Sequence, residues 1–393
     1  MIPTRQLVGL ALALSTAAAL SLGITRFSYV LLFPPMRVDL GWSYTLAGVM
    51  NTVNGIGYLF GAMIAPRLLR RFGASRLLLV AAAVASVFMG LGGFINSTTL
   101  WMVQRLLAGT ASSLVFVAGG LLAVQLAASQ PSRSGFLMGL YYGGTGFGIV
   151  LTALLVPAVL AATEQLPHGW IWTWWALTPA CFAATALLWW PARMLQNLTA
   201  LPPAGTTHAA GFKWQPLSYA LAGYAMFGVG YIGYMTFVIA LLREQGVSAP
   251  VVTIFYTLLG VAVLASTRVW AGLLDRCKDG KLLAILNGLV GLATIMPVLT
   301  SAWPVILASG ILFGGVFLSL VASTSALVRH NLPRSAWGAG ISAFTIVFAA
   351  GQIVGPTIVG WIADGPGGLA RGLIFSAVAL WIGAALAWRQ RAL

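Results

Sequence analysis

Three arginines lie inside long apolar segments of this 393-residue sequence, at positions 26, 105 and 268. An arginine at the centre of a membrane costs between about 3 and more than 10 kcal/mol, so it normally faces a protein interior or a watery cavity and marks a function. Its guanidinium group can hold a carboxylate, phosphate or sulfate through two hydrogen bonds at any working pH. The pattern predicts a site for an anion.

Acidic residues supply no counter-charge inside these segments. All six fall in loops or at segment ends, namely Asp39, Glu164, Glu244, Asp275, Asp279 and Asp364. The three histidines are in loops as well. Buried cations without a buried anion leave a positive interior field, and we expect an anionic substrate to supply the missing charge.

The three arginines differ in their surroundings. Arg26 precedes the first loop charge by about ten residues, or about 15 Å of helix, so we rank it first among the candidate ligands. Arg268 ranks second, because it lies seven residues before Asp275 and could snorkel to the interface. Snorkelling, or bonding to backbone carbonyls, is also the alternative for Arg26. Arg105 lies near the outer end of its segment and is assigned a structural role.

Neutral polar and aromatic residues are expected to line a cavity around these charges. Asn51, Asn54 and Tyr58 are spaced i, i+3 and i+7 and therefore share one face of a helix. The predicted substrate ligands are Arg26, Arg268, Tyr29, Asn51, Asn54, Tyr58, Tyr231 and Tyr234. Packing is the alternative for each tyrosine, because a phenol buried between helices needs only one hydrogen-bond partner.

Composition identifies an integral membrane protein. The chain is 60% hydrophobic and 7% charged, whereas soluble proteins contain about 25% charged residues. The net charge of +15 does not indicate nucleic acid, since the basic residues alternate with apolar spans and act as topology signals. The spans carry no carboxylate pair, histidine cluster, metal-ligand spacing or phosphate-binding loop. We therefore expect no enzyme, no primary pump, no cofactor and no metal site, and the two cysteines give no disulfide framework.

Apolar runs of about 20 residues predict an all-α protein with twelve transmembrane helices. They cover approximately residues 7–35, 44–66, 77–95, 100–127, 136–162, 170–190, 217–242, 251–274, 282–299, 304–328, 338–363 and 371–388. The first run resembles a signal peptide but is too long for one, so we expect it to be retained. Pro34 and Pro35 are expected to stop or kink this first helix.

A stretch rich in Pro, Gly, Thr and Ala, residues 191–216, divides these runs into an N-terminal half, residues 1–190, and a C-terminal half, residues 217–393. Fifteen basic residues fall on one side of the membrane and three on the other, which places both termini and the linker in the cytoplasm. Glycines four apart, such as Gly57/Gly61 and Gly351/Gly355, predict close helix packing.

Short basic motifs recur in the two halves. The first is PRLLRRFGASR, residues 66–76, and the second is GLLDR, residues 272–276, about 205 residues later. The fourth run contains RLLAG, residues 105–109, and the eleventh contains GQIVGP, residues 351–356. With the string TRFSYVLLFPPM in the first run, these motifs resemble the major facilitator superfamily over the whole chain, and its YbfB/YjiJ-type subgroup in particular.

The resemblance implies two pseudo-symmetric six-helix halves, alternating access and a monomer. It implies structural or gating roles for Arg105, Gly109, Arg71, Gly73, Asp275, Arg276, Gly355 and Pro356. The first basic motif departs from the family pattern, because Arg70 stands at the aspartate position and Pro66 at the first glycine. Drug antiporters of the superfamily often carry an acid about nine residues before a proline of the first helix, and here that position is Arg26.

The sequence thus predicts a secondary transporter in a bacterial inner membrane that moves a small molecule, with an organic anion as the favoured substrate. The alternative is efflux of neutral or cationic compounds, with the arginines as scaffold. Transported protons would have to travel with a protonatable substrate or through a loop carboxylate, since no span supplies a titratable acid.

Overall fold

The computed structural model describes residues 4–130, 133–196, 214–333 and 336–393, and within these ranges the chain forms helices without β-strands. The helices before the linker are α1 Thr4–Ala18, a π-helical turn Ala19–Ile24, α2 Ser28–Leu40, α3 Tyr44–Phe72, α4 Ala74–Leu91, α5 Thr98–Ala128, α6 Ser134–Ala162 and α7 Trp170–Leu195. Those after it are α8 Ser218–Glu244, α9 Ala249–Val269, α10 Ala271–Arg276, α11 Lys281–Leu299, α12 Trp303–Asn331, α13 Trp337–Ala363 and α14 Gly368–Trp388.

Eleven segments in these ranges are long and apolar enough to cross a membrane. One of them, Arg5–Leu40, combines α1, the π-helical turn and α2. The remaining predicted span lies in α3, whose 29 residues extend about 43 Å and exceed the roughly 30 Å hydrocarbon core. Asn51 and Asn54 lower its apolar character. The prediction of an all-α, multi-pass membrane fold is confirmed.

The proline pair does not end the first span. α2 contains both Pro34 and Pro35 and continues to Leu40, where Gly41 terminates it with a left-handed φ of 65°. The predicted stop is therefore wrong, and the alternative, a kink, remains a prediction. The helix is interrupted earlier instead, at the π-helical turn and the three residues after it, because tertiary contacts of that region replace the regular helical ladder.

The chain forms two compact units, Met1–Trp42 with Val53–Ala200, and Ser43–Thr52 with Leu201–Leu393. This division resembles the predicted halves, residues 1–190 and 217–393, except in one segment. The predicted bounds themselves remain a prediction. The start of α3 belongs to the second unit, whereas the rest of α3 belongs to the first. α7 extends to Leu195, beyond the predicted start of the linker, and residues 197–213 lie outside the described ranges.

Helices of the first unit approach one another through glycine. A Cβ on Gly57 of α3 would lie 2.0 Å from the carbonyl oxygen of Leu106 in α5, and one on Gly144 of α6 would lie 1.9 Å from that of Ser15 in α1. Neither position has room for a side chain. The close packing that the glycine spacing predicts is therefore present at these crossings.

The second unit is built around α8, which packs against α11, α13 and α14. Its face carries a stack of aromatic rings in which Phe227 and Tyr231 have centroids 4.8 Å apart. Phe348 of α13 stacks on both rings at 5.4 Å, and Phe317 of α12 stacks on Tyr231 at 5.4 Å. These aromatic rings of α8 thus form largely an internal packing surface.

Candidate functional site

The interruption of the first membrane span positions Arg26. Residues Ala19–Ile24 form the π-helical turn, and the amide of Phe27 donates to the carbonyl of Leu22, five residues back. Such irregular turns are frequent at functional sites, and broken membrane helices line the substrate sites of many transporters. Arg26 follows this turn directly and its side chain is 7% exposed. The sequence places the arginine in the span but gives no signal for the break.

Hydrogen bonds and close packing hold the interrupted region in place. The hydroxyl groups of Thr25 and Ser112 in α5 lie 2.9 Å apart, and Ser112 also donates to the carbonyl of Ser21. On the opposite side, a Cβ on Gly23 would lie 2.6 Å from the Cα of Gly148 in α6. The break is therefore fixed between α5 and α6, which restricts where the Arg26 side chain can reach.

Arg105 of α5 is the most deeply buried charge of the first unit, with no exposed surface. Its guanidinium carbon lies 4.6 Å from the centroid of the Tyr29 ring. None of its three guanidinium nitrogens has a hydrogen-bond acceptor among the residues that the structure describes. A neutral ring face attracts the cation but cannot accept its five N–H groups, so the hydrogen-bonding capacity of Arg105 is unused.

Arg26 and Arg105 occupy one electropositive region. Arg26 lies over the Tyr58 ring at 5.6 Å, and the two arginines repel each other electrostatically. No aspartate or glutamate occurs in α3, α5, α6 or α7. The structure thus brings together three of the predicted ligands, Arg26, Tyr29 and Tyr58, and adds Arg105, for which the sequence favoured a structural role.

Asn54 serves the packing of this region. Its side-chain amide donates to the carbonyl of Arg105 at 3.0 Å, and a Cβ on Gly109 would lie 2.2 Å from the Asn54 carbonyl oxygen. The RLLAG motif therefore fits α5 against α3 through Gly109 while it presents Arg105. Within this motif, Gly109 serves packing, and Arg105 is the candidate for binding.

The predicted ligands of the second unit have protein partners. Tyr231 donates to the side-chain oxygen of Gln352 at 2.6 Å, and the hydroxyls of Tyr234 and Ser309 lie 2.7 Å apart. Asn51, at the start of α3, donates to the Thr236 hydroxyl at 2.7 Å. Their contact with substrate remains a prediction.

Arg268 lies in the last turn of α9 with an exposed side chain. This placement is the one that snorkelling predicts. Its role in substrate binding also remains a prediction.

The predicted gating residues occupy helix ends and crossings. Arg71 is exposed near the end of α3, and Gly73 joins α3 to α4 with a φ of 75°. Asp275 and Arg276 end the short helix α10, which follows a bend after α9. A gating function for these four residues stays a prediction.

In α13, a Cβ on Gly355 would lie 2.6 Å from the carbonyl oxygen of Val229. A Cβ on Gly48, near the start of α3, would lie 2.2 Å from the carbonyl oxygen of Pro356. Both residues therefore serve close packing within the second unit. Whether they also act as gates remains a prediction.

Two acidic clusters were not predicted. Asp364, just after α13, accepts hydrogen bonds from the amides of Tyr44 and Thr45 at 2.7 and 2.8 Å and so caps α3. The Tyr44 hydroxyl donates to Glu244 at the end of α8. In the first unit, Asp39 contacts His168 and Trp170 at 2.5 Å. The Ser-Tyr-Thr start of α3 is a recognisable capping signal, but its acidic partner lies 319 residues away in sequence.

Residues 18–388 match the family described as "Uncharacterised MFS-type transporter YbfB". The chain belongs to this family. It is therefore an integral, multi-pass membrane transporter of the major facilitator type, and its partner is a small-molecule substrate. The resemblance on which the sequence prediction rests is confirmed.

Relatives agree with this assignment. A protein of Agrobacterium vitis named "Putative tartrate transporter" is 22% identical over 371 residues, which cover 87% of this chain and 84% of that protein. The solved nucleoside transporter NupG superimposes with a TM-score of 0.72 at 13% identity, over 97% of this chain and 100% of NupG.

A bacterial homologue of the human lysosomal transporter Spinster superimposes with a TM-score of 0.73 at 15% identity, over 99% of this chain and 97% of that one. At such identities these structures establish the fold alone. The chain therefore has the predicted all-helical fold of the major facilitator type, and the bounds of its two halves remain a prediction.

Proposed function

We propose that this MFS-type protein is a secondary transporter of a small organic anion, and that Arg105 and Arg26 bind the anion. The observation that carries the proposal is the complete burial of Arg105 with all three guanidinium nitrogens lacking an acceptor in the described part of the chain. A carboxylate can accept two parallel N–H groups from one guanidinium, and this geometry suits Arg105.

Magnitudes favour a ligand over a purely structural role. A cation–π contact such as that between Arg105 and Tyr29 is worth about 2 kcal/mol when desolvated. Burying an ion costs several kcal/mol even after relaxation and water penetration. The ring therefore offsets only part of the cost, and a bound anion supplies the remainder.

The relative from Agrobacterium vitis supports the substrate class. Tartrate, which its name specifies, carries two carboxylates, and the electropositive region contains two arginines. We therefore favour small dicarboxylates, with one carboxylate on each guanidinium. The neutral groups beside them, Tyr29 and Tyr58, would contact the carbon chain or its hydroxyls.

Membership of the family supports alternating access as the mechanism, which needs no nucleotide machinery. We place the protein in a bacterial inner membrane as a monomer, with both termini in the cytoplasm, on the basis of the fifteen-to-three distribution of basic residues. Substrate protonation or a loop carboxylate provides proton coupling, if transport is coupled to protons.

Ligand-dependent thermal stabilisation of the purified protein tests the proposal. Tartrate, malate and succinate are compared with their uncharged diamides and with a panel of neutral and cationic compounds. A ligand at 100 times its Kd stabilises the folded state by about 2.7 kcal/mol, so weak binding is detectable at high concentration. We expect stabilisation by the dicarboxylates alone, and its loss in Arg105→Gln and Arg26→Gln.

Arg268→Gln is the matched control, because it removes the same charge from an exposed position. We expect this variant to retain the dicarboxylate response, whereas its loss would restore Arg268 as a ligand. Stabilisation by neutral or cationic compounds only, indifferent to all three substitutions, would overturn the proposal and support efflux of such compounds. Uptake of a responding dicarboxylate into proteoliposomes then tests transport itself.

A further inference from the structure

A long groove runs along the outside of the first unit, with a volume of about 820 Å³. It lies between α4 and α7, and the end of α3 and the middle of α5 complete its walls. Most of its lining is apolar, including Val80 and Val84 of α4, which are 62% and 40% exposed. This groove is separate from the buried arginines of the proposed substrate site.

One end of the groove is strongly basic. Arg76, at the start of α4, and Arg193, near the end of α7, both line it with exposed side chains. Arg193 lies over the ring of Trp189 at 5.2 Å, which holds its guanidinium beside the groove. Neither α3, α4, α5 nor α7 contains an aspartate or glutamate, so these helices offer the arginines no acidic partner.

The length of the groove corresponds to one leaflet. On α4 its lining extends from Ser75 to Phe88, and the helix rises about 18 Å over the twelve residues from Arg76 to Phe88. Half of a hydrocarbon core is about 15 Å. Charge occupies one end and apolar side chains the rest, which is the arrangement of a phospholipid's headgroup and acyl chain.

We infer that this groove binds an anionic phospholipid. The phosphodiester lies between Arg76 and Arg193, and one acyl chain lies along Val80 and Val84 towards Phe88. Gln196, which also lines the basic end, provides a neutral hydrogen bond to the headgroup. The orientation predicted from the basic residues assigns this lipid to the cytoplasmic leaflet.

Native mass spectrometry of the purified protein tests the inference. The protein in a neutral detergent is titrated with palmitoyl-oleoyl phosphatidylglycerol and, separately, with the zwitterionic phosphatidylcholine of the same chains. We expect tighter binding of the phosphatidylglycerol. Each arginine near a membrane surface changes affinity for an anionic lipid about fivefold, so Arg76→Gln with Arg193→Gln is expected to weaken it by about 25-fold.

A matched double variant, Arg133→Gln with Arg389→Gln, removes two exposed arginines on the same predicted side but outside the groove. It is expected to bind phosphatidylglycerol as the unmodified protein does. A third variant, Val84→Trp, fills the groove and keeps both arginines. Because Val84 is partly exposed, the fold should tolerate the change, and circular dichroism with a melting curve verifies this.

Equal binding of the two lipids, or equal losses in the two double variants, would overturn the inference. So would full phosphatidylglycerol binding by Val84→Trp, since the acyl chain would then lie elsewhere. Glycerophosphoglycerol, the headgroup without chains, is added as a competitor. Competition at concentrations comparable to the lipid would assign the arginines to a free phosphate ester and remove the groove from the site. A dimer that dissociates on lipid addition would identify a second copy as the occupant.

Discussion

At the level of single residues, Arg105 shows how one motif can serve packing and chemistry together. Gly109 allows α5 to approach α3, while Arg105, one helical turn earlier, directs a fully buried charge against Tyr29. The structural role that the sequence favours for Arg105 is satisfied by its neighbour in the motif. The charge itself needs another explanation, and the proposed anion supplies it.

Replacing Arg105 distinguishes a structural role from a binding role, because the two predict different changes in thermal stability. In Arg105→Met the buried charge disappears, and the protein loses a cation–π contact of about 2 kcal/mol but regains several kcal/mol of desolvation. We expect the melting midpoint of the ligand-free protein to stay the same or rise, while dicarboxylates no longer raise it. Thermal unfolding with and without tartrate measures both quantities.

Arg105→Lys is the control that retains the charge. It should leave the ligand-free midpoint at or below that of the unmodified protein, and weaken dicarboxylate binding because an ammonium group lacks the planar fork of a guanidinium. A midpoint lowered by several degrees in Arg105→Met but not in Arg105→Lys would mean that the charge stabilises the fold, which would contradict a binding role.

At the level of helices, the sequence predicts where spans lie better than where they break. Runs of apolar residues determine the spans, because hydrocarbon length and hydropathy are local properties. The π-helical turn at Ala19–Ile24 depends on Ser112 of α5 and Gly148 of α6, which are distant in sequence. Local sequence patterns therefore predicted a break at the prolines at positions 34 and 35, whereas tertiary contacts place the break about ten residues earlier.

The cap of α3 by Asp364 leads to a prediction about pH. Partial burial raises the pKa of this carboxyl, but hydrogen bonds from the Thr45 hydroxyl, the Thr45 and Tyr44 amides and the Ser43 hydroxyl outweigh it and hold the pKa below its ordinary value. A carboxyl whose pKa is lower in the folded protein contributes stability above its ordinary pKa, near 3.9, and that contribution is lost as pH falls through the folded value.

We therefore expect the Tyr44 and Thr45 amides to be protected from hydrogen exchange at neutral pH and to lose protection below about pH 4. Asp364→Ala should remove a cap worth roughly 0.5–2 kcal/mol and expose these amides at every pH. Asp364→Asn retains an acceptor and should keep partial protection without the pH dependence. Protection factors corrected for intrinsic exchange provide the measurement, and unchanged values in Asp364→Ala would show that the carboxylate does not stabilise the start of α3.

For the whole molecule, the sequence predicts the membrane class and the family, and it ranks Arg26 first among the charged candidates, whose ligand roles remain predictions. It misses the assignment of Ser43–Thr52 to the second unit, because Asp364 and Pro356, which contact this segment, come more than 300 residues later. It also misses the difference between Arg105 and Arg268, since burial depends on neighbouring helices. Arg105 has no exposed surface and Arg268 is exposed, although both lie in apolar runs of similar length.

The distribution of titratable groups over the chain predicts how transport responds to pH. All six acids lie at or beyond the ends of the predicted spans, and the described histidines, His168 and His330, lie at helix ends. Arginines stay charged at any working pH. A substrate whose own charge is constant should therefore be transported at a rate that does not change between about pH 5.5 and 8, and variants of the two histidines serve as the control.

Proteoliposome uptake of a dicarboxylate and of its disulfonate analogue measures this, because sulfonates remain ionised throughout the range. We expect the carboxylate rate to follow the substrate's own protonation and the disulfonate rate to be flat. The variants His168→Asn and His330→Asn remove the histidine contribution, including the contact of His168 with Asp39. A steep pH dependence of disulfonate uptake that persists in both variants would require another titrating group of the protein, and proton coupling through the substrate alone would then be wrong.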